Sequence, residues 1–108
     1  MIARTGRQRA LDKALTLLVP GAPFEHMESI RRAASARHLR HLPPSVSAWL
    51  AIIAHVRHRL TDYDQLLVEG YDRQSARHFT AGNINAVLTE WRATRLLDRD
   101  TEDESFDD

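Results

Sequence analysis

The segment Ser45-Val46-Ser47-Ala48-Trp49-Leu50-Ala51-Ile52-Ile53-Ala54-His55-Val56-Arg57-His58-Arg59 decides the fold of this chain. Val46, Trp49, Leu50, Ile53 and Val56 recur at spacings of three and four, the period of one helix face. Ala48, Ala51, Ile52 and Ala54 leave little polar surface on the other side. A helix that is apolar nearly all round has to be covered on most sides. Residues 45–59 are therefore expected to form the central element of a helical core. Pro43-Pro44 interrupts whatever precedes it. Either Pro44 or Ser45 can open the helix, because a first-turn N–H has no intrahelical partner to lose.

The flanking sequence reads as further helices. Ala10, Leu11, Ala14, Leu15 and Leu18 place an amphipathic stripe on residues 7–18. Pro20-Gly21-Ala22-Pro23 ends that helix in a tight connection. The next helix is expected from about Phe24 to Leu39. Its stripe is Met27, Ile30 and Ala34, and its first turn holds Glu25 and Glu28, where the helix dipole favours acids. Beyond the central segment, Thr61-Asp62-Tyr63-Asp64 reads as a helix start. Thr61 caps it and Asp64 reaches back. The short helix carrying Leu66, Leu67 and Val68 stops at Gly70, which suits a left-handed cap. Asp72 then caps a last helix over about 73–95, with Ala76, Phe79 or Thr80, Ile84, Val87, Leu88 and Trp91 facing inward. No stretch alternates like a strand. The expectation is an all-α fold: a compact bundle of about five helices, one domain over residues 1–97, followed by an acidic disordered C-terminal tail over 98–108.

Composition agrees with that class. The 108 residues include no cysteine, 43% apolar residues and 28% charged ones. This excludes disulfide scaffolds, thiolate metal sites, collagen and multidomain enzymes. The formal net charge of zero conceals a division. Residues 98–108 hold seven acids against Arg99 alone, so residues 1–97 carry 14 basic and 8 acidic groups. The basic excess lies early: residues 1–60 hold ten Lys or Arg against Asp12, Glu25 and Glu28. With Phe106 as its one large apolar group, the tail cannot bury enough surface to offset its ordering entropy. No run reaches the ~18 apolar residues that a membrane span needs. The first residues lack an apolar core of signal-peptide length. Both absences point to the cytoplasm.

From Leu42 to Trp91 a set of landmark residues stands out: Leu42-Pro43-Pro44, Ala54-His55-Val56-Arg57-His58, Thr61-Asp62-Tyr63-Asp64-Gln65-Leu66-Leu67, then Gly70, Asp72-Arg73, Ala76-Arg77 and Trp91. Together they resemble the bacterial domain-of-unknown-function 2293 family. The resemblance covers about half the chain, and the run from His55 to Leu67 is its most specific part. It implies a small helical protein and supplies no catalytic residue to carry over.

Two groups of polar residues are candidates for function. The first is His55, Arg57, His58, Asp62, Tyr63 and Asp64, where the central helix meets the next helix start. His55 and His58 share a helix face. With Asp62 they could form a zinc site with an open position, or supply acid and base near neutral pH. The plainer reading is a network that fixes the angle between two helices, with Arg57 or Arg59 meeting Asp62 or Asp64 and Tyr63 burying its ring. No metal ligand set and no catalytic residue is assigned. A P-loop, a Gly-rich phosphate fingerprint and a zinc-protease histidine pair are all missing, so no cofactor is expected.

The second group is basic. Arg31, Arg32, Arg37, His38, Arg40 and His41 fall within eleven residues with no acid among them, and Arg4, Arg7, Arg9 and Lys13 form another basic stretch. If the two face the same way, they make an electropositive surface suited to phosphates. Arg73 and Arg77 open the last helix after a Gly70-Tyr71-Asp72 turn, in outline a helix-turn-helix. The nucleic-acid-binding candidates are therefore Arg31, Arg32, Arg37, Arg40, Arg73 and Arg77. The plainer alternative for the two basic stretches is a solvated helix face, and for Arg73 and Arg77 an ordinary helix pair joined by a glycine turn in which they meet Asp62, Asp64 or Asp72. Trp49 and Trp91 lie on apolar stripes and are expected in the core. A small domain with so apolar a central helix could also cover it by homodimerisation.

The leading functional reading is a small helical binding module, more plausibly non-catalytic, that touches nucleic acid through its basic surface. The alternative is a protein-interaction or homodimeric scaffold domain with no nucleic-acid role. A small metal-dependent enzyme built on His55, His58 and Asp62 ranks third.

Overall fold

The computed structural model describes residues 5–98. The described chain holds five α-helices and one 3-10 turn, and no strand. The helices are α1 (Gly6–Leu18), α2 (Phe24–Ala34), α3 (Pro44–Leu60), α4 (Tyr63–Val68) and α5 (Arg73–Glu90), with the 3-10 turn at Arg37–Leu39. The all-α expectation holds. The expected tail, apart from Asp98, lies outside the described residues.

Local signals start these helices. Thr5 caps α1 by accepting from the Gln8 N–H, while the Gln8 side chain returns a bond to the Thr5 N–H, a reciprocal capping box. Pro44 takes the first position of α3. The Asp72 carboxylate accepts from the Ser75 N–H at 2.7 Å and opens α5. Gly70 adopts φ 105, the left-handed geometry expected of it after α4.

The core forms around α3. Ala48, Trp49, Ala51, Ile52, Ile53 and Val56 are buried, together with Leu11 and Leu15 of α1, Val19, Ile30 and Ala34 of α2, Ile84 and Leu88 of α5, and Trp91. Helices α1, α2 and α5 pack on different sides of α3, as its nearly continuous apolar surface requires. Val46, expected on the inner side, is instead exposed near the helix start, and Leu50 is half-buried. The buried face is centred one residue away from the stripe read by spacing alone.

Three other expectations are refined. The second helix does not run to Leu39. Ser35 turns its hydroxyl back to the Arg31 carbonyl, Ala36 is extended, and the chain re-forms as the 3-10 turn that buries Leu39. Of Phe79 and Thr80, it is Thr80 that faces inward, with its hydroxyl bonded to the Ala76 carbonyl. The last helix ends at Glu90 rather than near residue 95. There Arg92 takes φ 58, its N–H reaches the Thr89 carbonyl, and the Ala93 N–H reaches the Leu88 carbonyl. This is a Schellman closure with arginine where glycine is usual.

The chain after α5 is tied down from both sides. Gly21 N–H donates to the Trp91 carbonyl at 2.8 Å, and Thr94 donates to the Leu18 carbonyl through its N–H and to the Leu17 carbonyl through its hydroxyl. Asn85 holds the Leu97 backbone at both polar atoms, at 2.7 and 3.1 Å. The Arg95 guanidinium lies 4.1 Å from the Trp49 ring centroid and covers it. No helix of the described residues is long and apolar enough to cross a membrane.

Candidate nucleic-acid interface

One side chain brings the two basic stretches to the same end of the molecule. The Arg7 guanidinium donates to the Leu39 carbonyl at 3.2 Å and to the Ser47 hydroxyl at 3.0 Å. Ser47 in turn donates to the same carbonyl at 2.8 Å. The start of α1, the 3-10 turn and the start of α3 are thereby knotted together. Arg9 and Lys13 are exposed on α1, and Arg37, His38, Arg40 and His41 are exposed around the turn.

The six nucleic-acid candidates do not behave alike. Arg31 is partly buried and bonds to Asp12 at 2.5 Å and to Glu28, so its charge is already matched within the fold. With Gln8, Leu11, Asp12, Glu28, Arg32 and Ser35 it lines a cleft of about 260 Å³ between α1 and α2. Arg32, Arg37 and Arg40 are exposed, and among the described residues no carboxylate pairs with them. Arg73 is exposed at the start of α5. Arg77, one turn on, is buried.

The polar cluster at the other end of α3 divides into two separate contacts. His55 is buried, and its Nε2 lies 2.9 Å from Nδ1 of His26 on α2, which packs in turn beside Trp91. Burial, reinforced by His26 and Arg59, lowers the His55 pKa from 6.5 to about 4. His58 instead meets Asp64 at 2.7 Å and stands edge-on to the buried Tyr63 ring. Asp64 therefore holds a histidine and not the helix start. Thr61 also ties the two helices, donating to the Arg57 carbonyl at 2.5 Å and accepting from the Tyr63 N–H at 3.2 Å. Arg57 is fully buried, with its guanidinium 5.6 Å from the Tyr63 ring centroid. Asp62 is exposed. His55 and His58 thus serve different partners. No three metal-ligating side chains converge among the described residues.

Sequence reasoning missed two features. His26 lies 29 positions before its partner, and nothing in the spacing of a lone histidine announces the pairing. The other is a set of rings at the start of α5. Tyr71 and Phe79 stand edge-to-face at 5.6 Å, and His78 stands against Phe79 at 5.7 Å. The helix-turn-helix outline drew attention to this turn, but only the rotation of α5 shows that Phe79 points outward.

The fold is a small all-helical domain built around one apolar helix, with Arg9, Arg32, Arg37 and Arg40 exposed near the start of that helix and Arg59, Arg73, Arg92 and Arg95 exposed elsewhere. The chain belongs to the family described as uncharacterized conserved protein (DUF2293), whose model matches residues 14–92. That span runs from the second half of α1 to the closure of α5, and leaves Arg7 and Arg9 outside it. No curated protein and no solved structure matches the chain.

Proposed function

We propose that this protein is a non-catalytic binding module that holds nucleic-acid phosphates on the face formed by the start of α1 and residues 32–41. The observation that carries the reading is the Arg7 contact to Leu39 and Ser47, which sets two basic stretches side by side. Arg32, Arg37 and Arg40 supply exposed guanidiniums there, each able to fork onto phosphate oxygens. Neutralising phosphates in this way releases counterions, so affinity falls steeply with salt. The start of α1 and residues 32–41 hold no Phe, Tyr or Trp, which favours backbone contact over base reading.

The test is binding of a mixed-sequence duplex across a salt series. Changing Arg32, Arg37 and Arg40 together to Ala is expected to reduce the log–log salt slope by up to about 3, and changing them to Glu to abolish binding. Arg31 is left out of the set because it braces α1 against α2 through Asp12. If the full chain binds neither duplex nor single strand at low salt, even with the acids of residues 98–108 neutralised, the reading falls and the scaffold alternative takes its place.

A further inference from the structure

The turn between α4 and α5 holds aromatic surface that the fold does not use. Phe79 is 57% exposed and Tyr71 is 45% exposed. Ala76, Thr80, Ala81 and Ile84 take the inner side of α5, so the rotation that buries them drives Phe79 and His78 outward. Gly70, at φ 105, and the bond from the Tyr71 N–H to the Leu66 carbonyl hold Tyr71 at the end of α4. The rings are therefore set in place before any ligand arrives, their mutual contact edge-to-face with interplanar angles of 82° and 66°.

The chemistry around the rings selects among partners. Arg73 and Gln74 are exposed in the first turn of α5. The two acids closest in sequence each make a local hydrogen bond: Asp72 accepts from the Ser75 N–H, and Glu69 accepts from the Gln65 amide at 3.0 Å. One guanidinium, an amide and exposed ring surface are what a nucleotide offers complements to: phosphate, base edge and base face. A duplex keeps its base faces stacked inside and offers these rings nothing to stack on. An unpaired base does offer a face.

We propose that the Tyr71, Phe79 and His78 rings form a stacking site for an unpaired base of single-stranded nucleic acid, with Arg73 taking a neighbouring phosphate. The assignment rests on the nucleic-acid reading above and names its substrate class. The basic loop precedes the start of α3 and the α4–α5 turn follows its end, and α3 itself is about 25 Å long over its 17 residues.

The experiment compares binding of an oligothymidylate and of a mixed-sequence duplex to the full chain and to Phe79→Leu, Tyr71→Leu and Phe79→Trp. Leucine keeps apolar bulk and removes the π-face, and tryptophan keeps the face. Each leucine variant is expected to lose about tenfold in single-strand affinity, with duplex binding unchanged and the tryptophan variant close to native. Thermal melting confirms the fold in each case. Single-strand affinity unchanged in both leucine variants overturns this site while leaving the phosphate face standing. Sedimentation in which the native chain is a dimer that Phe79→Leu dissociates, with oligothymidylate affinity unaffected, overturns it in favour of a second copy of the chain. If the native chain binds neither probe, the functional reading fails and the stacking site with it.

Discussion

His26 Nδ1 and His55 Nε2 face each other at 2.9 Å across the α2–α3 boundary. One of the two nitrogens carries the bridging proton and the other accepts it, so the contact needs at least one neutral ring. His55 is the buried member, and its pKa is lowered to about 4.

Acid should therefore weaken the fold. The native His55 resists a proton that the unfolded chain takes up near pH 6.5, so the unfolded state binds more protons in between. The stabilisation is complete above about pH 6.5 and is lost as pH falls from there through about 4. Between pH 7 and pH 5 this one group is expected to remove roughly 2 kcal/mol. Urea unfolding across that range measures it, with His55→Gln as the comparison whose curve should be flatter. An identical slope in the two proteins would show that other groups set the acid sensitivity.

Gly21→Ala is expected to destabilise by about 1–3 kcal/mol. A Cβ at this position would lie 2.9 Å from the Trp91 carbonyl oxygen and 3.0 Å from its carbon. Both are backbone atoms, and the Gly21 N–H already bonds that oxygen. Nothing flexible is available to move aside. Chemical unfolding at neutral pH gives the value.

Arg92→Gly should act in the opposite direction. Arg92 is exposed and sits at φ 58, where an L side chain crowds its own carbonyl and glycine does not. A gain of about 0.5–1 kcal/mol is expected from relieving the Schellman position. A fall in melting temperature would show that the arginine side chain makes a compensating contact.

Ser47→Ala tests the knot under the basic face. The Ser47 hydroxyl both accepts from Arg7 and donates to the Leu39 carbonyl, and it is fully buried. Its removal is expected to destabilise by about 0.5–1.5 kcal/mol, the net worth of one hydrogen bond, since the Leu39 carbonyl keeps the Arg7 guanidinium and the Leu42 N–H. It should also weaken duplex binding without touching any exposed cation. Unchanged affinity in a folded Ser47→Ala protein would separate the knot from the binding face.

What the chain's own sequence determined is the set of helices and where they start, while the ends of α2 and α5 fell short of the expected positions. The spacing of Leu11 and Leu15, the prolines at 20, 23, 43 and 44, Gly70 and the Asp72 cap are signals that act within one helical turn, so they can be read without knowing what lies across the core. The apolar surface of α3 likewise announced a central element, because no other environment suits it. Only the tertiary structure decided which charged and aromatic groups are available. Arg31 and Arg32 are neighbours in sequence, yet Arg31 falls toward Asp12 of α1 and Arg32 falls outward. Of Phe79 and Thr80, between which the periodicity did not choose, Thr80 turns inward, and His55 finds His26 rather than His58. Each of these outcomes depends on how two helices are rotated and crossed. A rotation of one residue, 100° about the helix axis, turns a core position into a surface one, and that angle is set by the packing of all the helices together.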